Sequence, residues 1–81
     1  MELVFFSRKV CGPCRIVEAF FEEEEVDGIV KTYKLEEDPE MFEKYTIKGT
    51  PVNILFDEEG KEVARVHGAE IDELEELVDQ I

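Results

Sequence analysis

The sequence predicts an α/β fold in the order β-α-β-α-β-β-α, a four-stranded mixed sheet with helices on both faces, with residues 1–81 expected to form one domain. Three observations point there. Leu3-Val4-Phe5-Phe6 is an unbroken apolar run of strand length, the pattern of a strand buried on both faces. Val52 to Phe56 and Lys61 to His67 flank Asp57-Glu58-Glu59-Gly60, which reads as an antiparallel hairpin with Gly in its turn. Ile71, Leu74, Leu77/Val78 and Ile81 recur with helical period, and acids take the opposite face. Elements with these apolar faces bury them by stacking helices on a sheet.

The remaining elements follow in order. Ser7-Arg8-Lys9 ends the first strand, and Pro13 falls where the first helical turn begins, a position that does not need its missing N–H. The pairs Ile16/Phe20 and Val17/Phe21 predict a broad apolar stripe on this helix. Glu22 to Glu25 close it as a solvated acidic end, with Val26-Asp27-Gly28 as the exit turn. Ile29 to Leu35 is expected to be the second strand, parallel to the first across a right-handed crossover. Asp38 is expected to cap a short helix that has Pro39 at its first position, and Met41, Phe42 and Tyr45 form its core-facing cluster. Thr46 to Pro51 is a loop. This order makes the first strand central and places Cys11 at its carboxyl end, where open α/β sheets build their sites.

Composition bounds the function. Apolar residues make up 43% of the chain and eight are aromatic, which argues for a folded core and not an acidic tail. A net charge of −13 argues against nucleic-acid and anionic-membrane partners, because both repel such a surface. No apolar run approaches the length of a membrane span. Met1 leads straight into the apolar run, and Arg8 and Lys9 come after it, the reverse of a secretory signal; a cytoplasmic, monomeric protein is expected.

The two cysteines sit three apart in Val10-Cys11-Gly12-Pro13-Cys14, at a strand-to-helix junction. That spacing reads as a redox-active dithiol. A zinc half-site needs two more soft ligands, and His67 is the only histidine. An inert bridge across so short a loop restrains the unfolded chain little. A non-catalytic module, sharing a metal or cluster between chains or sensing redox state, is a further alternative, disfavoured because stable clusters want four ligands. His67 itself reads as an edge or packing residue. No bound cofactor or metal is expected beyond the Cys11–Cys14 disulfide.

Cys11-Gly12-Pro13-Cys14, the segment Lys44-Tyr45-Thr46-Ile47-Lys48-Gly49-Thr50-Pro51 before Val52 to Phe56, and Gly68-Ala69 after the last strand together resemble the thioredoxin superfamily. The chain is similar to a small, glutaredoxin-like thioredoxin, a minimal thioredoxin fold. It departs from the thioredoxin pattern in lacking the extra N-terminal strand and helix. Val10 also stands where most thioredoxins have Trp, and Phe5 where they have a buried acid. Ser7-Arg8-Lys9-Val10-Cys11 resembles the entry to a glutaredoxin site.

The resemblance implies a protein disulfide reductase. Cys11 is expected to be the nucleophile, its thiolate favoured by the helix N-terminus and by Arg8, Lys9 and Arg15. Cys14 is expected to resolve the mixed disulfide. Val10, Gly12 and Pro13 shape the active-site loop. Pro51 is expected to be cis, and Thr50, Pro51 and Gly68 to bind an extended substrate segment. Disulfide-containing proteins are the implied partners, with a thioredoxin-reductase-like electron donor. A glutathione-dependent glutaredoxin is the alternative: Arg8 and Thr50 favour it, while the Gly-Pro dipeptide and the partial match of Gly68-Ala69-Glu70-Ile71-Asp72 count against it.

Overall fold

The apolar run becomes the middle of β1 (Glu2–Ser7), in which Leu3 through Ser7 are all buried. The computed structural model describes residues 1–81. After β1 come α1 (Gly12–Glu23), β2 (Lys31–Lys34), α2 (Pro39–Lys44), β3 (Val52–Phe56), β4 (Glu62–His67) and α3 (Ile71–Val78). The sheet order is β2-β1-β3-β4. β1 runs parallel to β2 and antiparallel to β3, and β3 pairs antiparallel with β4. The expected mixed sheet with a central first strand is the one formed.

Alternation along the two inner strands divides the core. Leu3, Phe5, Leu55 and Val66 face α1 and α3, meeting Cys14, Val17, Phe21, Leu74 and Leu77. Val4, Phe6, Val52, Ile54 and Phe56 face α2 and pack on Phe42. Phe6 anchors this second layer, with ring centroids 5.2 Å from Phe42, 5.7 Å from Tyr33 and 5.9 Å from Tyr45. The short α2 therefore holds its face through aromatic rings, each of which buries much area and adds edge-to-face contact.

Five expectations need correction. Ile16 is 54% exposed, outside the stripe it was expected to join. Cys14, Val17, Phe20 and Phe21 fill the buried arc. At about 100° per residue, Ile16 falls beyond its edge. The second strand is shorter than Ile29 to Leu35. Ile29 is exposed in a turn that Val26 closes through its carbonyl to the N–H groups of Ile29 and Val30. Asp38 precedes α2 but makes no side-chain cap; its N–H donates to the Lys34 carbonyl. The last helix stops at Val78, and Ile81 packs on the core from the following turn.

Helix α1 also leaves by a different residue than Gly28. Glu25 takes φ 59°, its N–H donates to the Glu22 carbonyl, and the Val26 N–H reaches back to Phe21. This is a Schellman turn with a glutamate where glycine is usual. Helix α2 ends the same way: Thr46 has φ 56°, and the N–H groups of Thr46 and Ile47 donate to Glu43 and Phe42. A left-handed conformation costs an L-residue about 1–2 kcal/mol, and a β-branched side chain sits there least comfortably. Thr46→Gly is therefore expected to stabilise the fold by about 0.5–1 kcal/mol after the extra freedom of glycine in the unfolded chain is counted. Thermal unfolding of the variant checks this: a midpoint at or below that of the parent would show that Thr46 is not strained.

One ion pair is formed, Arg65 to Glu62 at 2.8 Å, with two parallel N–H···O bonds. The Arg65 hydrogen bond holds the Glu62 carboxyl below its usual pKa. The pair is largely exposed, so its contribution to stability is small.

Candidate active site

Cys11 is the residue before α1 and serves as its N-cap. Its backbone is extended, at φ −154° and ψ 101°, and its sulfur accepts from the Cys14 N–H at 3.3 Å. Gly12 and Pro13 complete the entry, Pro13 lying where a helix has no use for an N–H. Cys11 and Cys14 are joined in a disulfide with Cα atoms 5.3 Å apart. Cys14 is 1% exposed and lies within the layer beneath α1. Cys11 is 7% exposed, at the layer's outer edge between exposed Val10 and exposed Gly12.

Two further loops converge on the pair. The Thr50–Pro51 peptide is cis. The Thr50 hydroxyl donates to the Cys11 sulfur at 3.3 Å, bridging 39 residues of sequence. Gly68, at the end of β4, has φ 82° and donates its N–H to the Pro51 carbonyl at 2.9 Å. A side chain at that φ is strained, which is why glycine serves there. The structure thus brings Cys11, Cys14, Thr50, Pro51 and Gly68 to one end of the sheet. Before Cys11 in the chain, the Glu36 carboxylate accepts from the Lys9 N–H at 3.2 Å, and the Leu35 N–H donates to the Ser7 carbonyl. The approach to the dithiol is therefore tied to the segment after β2.

Arg8, Lys9 and Arg15 are all exposed, and their side chains form no ion pair. No acid lies on the buried stretch of β1, where Phe5 packs edge-on against Phe21 at 5.6 Å. His67 is exposed on the outer strand β4, opposite Val52. No group of three or more His, Cys, Asp or Glu side chains stands ready to hold a metal ion.

Sequence reasoning assigned Thr50 a backbone role and missed its hydroxyl, whose contact depends on the path of the whole loop. It also missed Asn53. This residue is fully buried in β3, opposite Phe5 and Val66, and neither its amide nitrogen nor its oxygen meets a protein partner. A single amide inside the apolar run Val52 to Phe56 was the available signal.

Comparison with known proteins gives one consistent answer. The family model described as thioredoxin matches residues 1–81. The chain is 30% identical over 81 residues to the SPbeta prophage-derived thioredoxin-like protein YosR of Bacillus subtilis, covering 100% of this chain and 99% of that protein. It is 34% identical over 79 residues to thioredoxin H2-2 of rice (Oryza sativa subsp. japonica), covering 94% of this chain but 58% of that longer protein. Among solved structures, thioredoxin NaTrxh from Nicotiana alata superposes with a TM-score of 0.80 at 30% identity, over 96% of this chain and 70% of that one. No helix is long and apolar enough to cross a membrane.

Proposed function

This chain belongs to the thioredoxin family and is a thiol-disulfide oxidoreductase; we propose that it acts as a protein disulfide reductase in which Cys11 attacks and Cys14 resolves. The observation that carries the assignment is the asymmetry of the two sulfurs. Cys11 receives two donors at 3.3 Å, the Cys14 N–H and the Thr50 hydroxyl, and it caps the positive end of a helix. Each of these favours a thiolate. Cys14 is buried among apolar side chains, which disfavours one.

In the forward reaction the Cys11 thiolate attacks one sulfur of a substrate disulfide. A Cys11–substrate bond forms as the substrate S–S bond breaks, and one thiolate leaves. Cys14 then attacks Cys11, closing the intramolecular disulfide and releasing the second thiolate. Two electrons pass from the dithiol to the substrate, and the Cys14 proton ends on a departing sulfur. Thr50, Pro51 and Gly68 form the wall against which an extended substrate segment lies, and exposed Val10 extends it. Arg8, Lys9 and Arg15 add positive charge around the Cys11 end of the chain. Electrons to regenerate the dithiol come from a thioredoxin-reductase-like donor, as the family membership suggests.

The test is limited alkylation of the reduced protein at neutral pH, read by peptide mass. Cys11 is expected to be modified first and Cys14 slowly. Faster modification of Cys14 would overturn the assignment of nucleophile.

A further inference from the structure

The surface grooves differ sharply in charge. Three of the four are lined by acids and by no lysine or arginine. The largest, about 420 Å³ at the end of the sheet remote from the dithiol, carries Glu2, Asp57 and Glu58. A second carries Glu18, Glu22 and Asp27, and a third carries Asp57, Glu58 and Glu59. That is what a chain with 22 acids and 9 bases produces by default. The fourth groove is the exception. It is lined by Arg8 and Lys48, with Thr50 and Phe42 among its other walls, and no acid reaches it. It is also the groove beside the dithiol, because Thr50 both lines it and touches the Cys11 sulfur.

Its two cations are uncommitted. The only ion pair of the chain joins Arg65 to Glu62. Lys31 and Lys44 rest over the rings of Tyr33 and Tyr45, whereas Arg8 and Lys48 have neither a carboxylate nor an aromatic face. In so acidic a protein, two unpaired bases facing one groove are available to a ligand. The groove, about 50 Å³, holds one side-chain head group and not a whole peptide. Its mouth is one side chain from the attacking sulfur. An extended substrate rises about 3.3 Å per residue, so the group that reaches the groove belongs to a residue next to the attacked cysteine or one beyond.

We propose that this groove is a carboxylate-binding subsite, which selects protein disulfides bearing an acidic residue within two positions of the attacked cysteine. The inference rests on the reductase function above and adds its substrate preference. Arg8 and Lys48 supply the charge, and Arg8 also offers the planar fork that suits a carboxylate. The Asp or Glu of the target is drawn to the one groove that is lined by bases and by no acid.

The test uses the reduced full chain in single turnover, with peptides whose only cysteine is in mixed disulfide with neutral 2-thiopyridine. Attack on the peptide sulfur expels thiopyridone, whose absorbance reports the rate. Two peptides differ only in Asp or Asn beside the cysteine. The Asp peptide is expected to react about fivefold faster at low salt, the scale of two exposed charge contacts. The advantage should vanish near 1 M salt, where the screening length falls to about 3 Å. It should vanish as well in the Arg8→Gln/Lys48→Gln double variant. The Asp-to-Asn ratio is the readout, so a general change in Cys11 reactivity cancels. Equal rates for the two peptides, or a preference that survives the double variant, would overturn the subsite while leaving the reductase reading intact. Glutathione in the same mixed disulfide outpacing the Asp peptide would assign the groove to glutathione and overturn protein selection. Failure of every probe would remove the reductase reading and the subsite with it.

Discussion

Cys14→Ser protein, mixed with a disulfide-bearing substrate such as insulin, is expected to end as a stable mixed disulfide through Cys11, with multiple turnover lost. Cys11→Ser protein is expected to form no adduct and to reduce nothing. The contrast follows from the separate tasks proposed above for the two sulfurs. Cys11 lies at the outer edge of its layer, with two donors on its sulfur, so it attacks a disulfide without help from Cys14. The bond it makes is then attacked from beneath, one helical turn into α1, where Cys14 is 1% exposed and closed to bulky thiols. A serine hydroxyl at position 14 cannot break an S–S bond, so the reaction halts at the adduct. Non-reducing electrophoresis and intact mass distinguish the outcomes. Continued multiple turnover by Cys14→Ser without added glutathione would show that resolution does not need Cys14.

The same burial shapes how Cys14 loses its proton. In this chain the strand beside α1 presents Phe5, whose ring packs on Phe21, and no carboxylate lies along buried β1. The thiolate leaving the first step is the base closest to hand, since it forms where the second attack begins. On the proposed mechanism, that leaving thiolate is expected to take the Cys14 proton.

Much of this was legible from residue order, and what escaped has a physical pattern. The apolar run of β1, the hairpin about Gly60 and the period of α3 are local signals, and each reappears, with α3 ending at Val78. Cys11 and Cys14 announced themselves by spacing, because a helix entry brings residues three apart into contact. Two of the errors show why. Ile16 was misplaced because an apolar stripe has an edge, and the width of the arc that α1 buries depends on what lies opposite. The two helix ends were invisible because Glu25 and Thr46 hold conformations usually marked by glycine. At the site, Lys48 and Arg8 stand 40 positions apart in sequence, and only the folded loops bring them to one groove.

Asn53→Leu is expected to stabilise the protein by about 1 kcal/mol, the roughly 2 kcal/mol that an unpaired buried polar group costs less the strain of admitting a larger side chain. Asn53 is fully buried, and both ends of its amide lack a protein partner. Its neighbours across the sheet are Phe5 on β1 and Val66 on β4, both apolar and both part of the layer beneath α1 and α3. Burying an amide there loses its hydrogen bonds to water and returns none from the protein. Leucine shares the branched skeleton of the amide, so its methyl groups take the places of the nitrogen and oxygen; they are bulkier, and the neighbouring side chains must shift to admit them. In a domain of this size about 1 kcal/mol moves the melting midpoint by 4–8 °C, so a rise of about that size is expected. Asn53→Ala separates the two contributions: it removes the amide but leaves a void, and its gain should be much smaller or reversed. A Leu variant no more stable than the parent would mean that the amide is satisfied in solution. The burial of Asn53 would then count as a hydrogen-bonded feature of the core and not as a cost it carries.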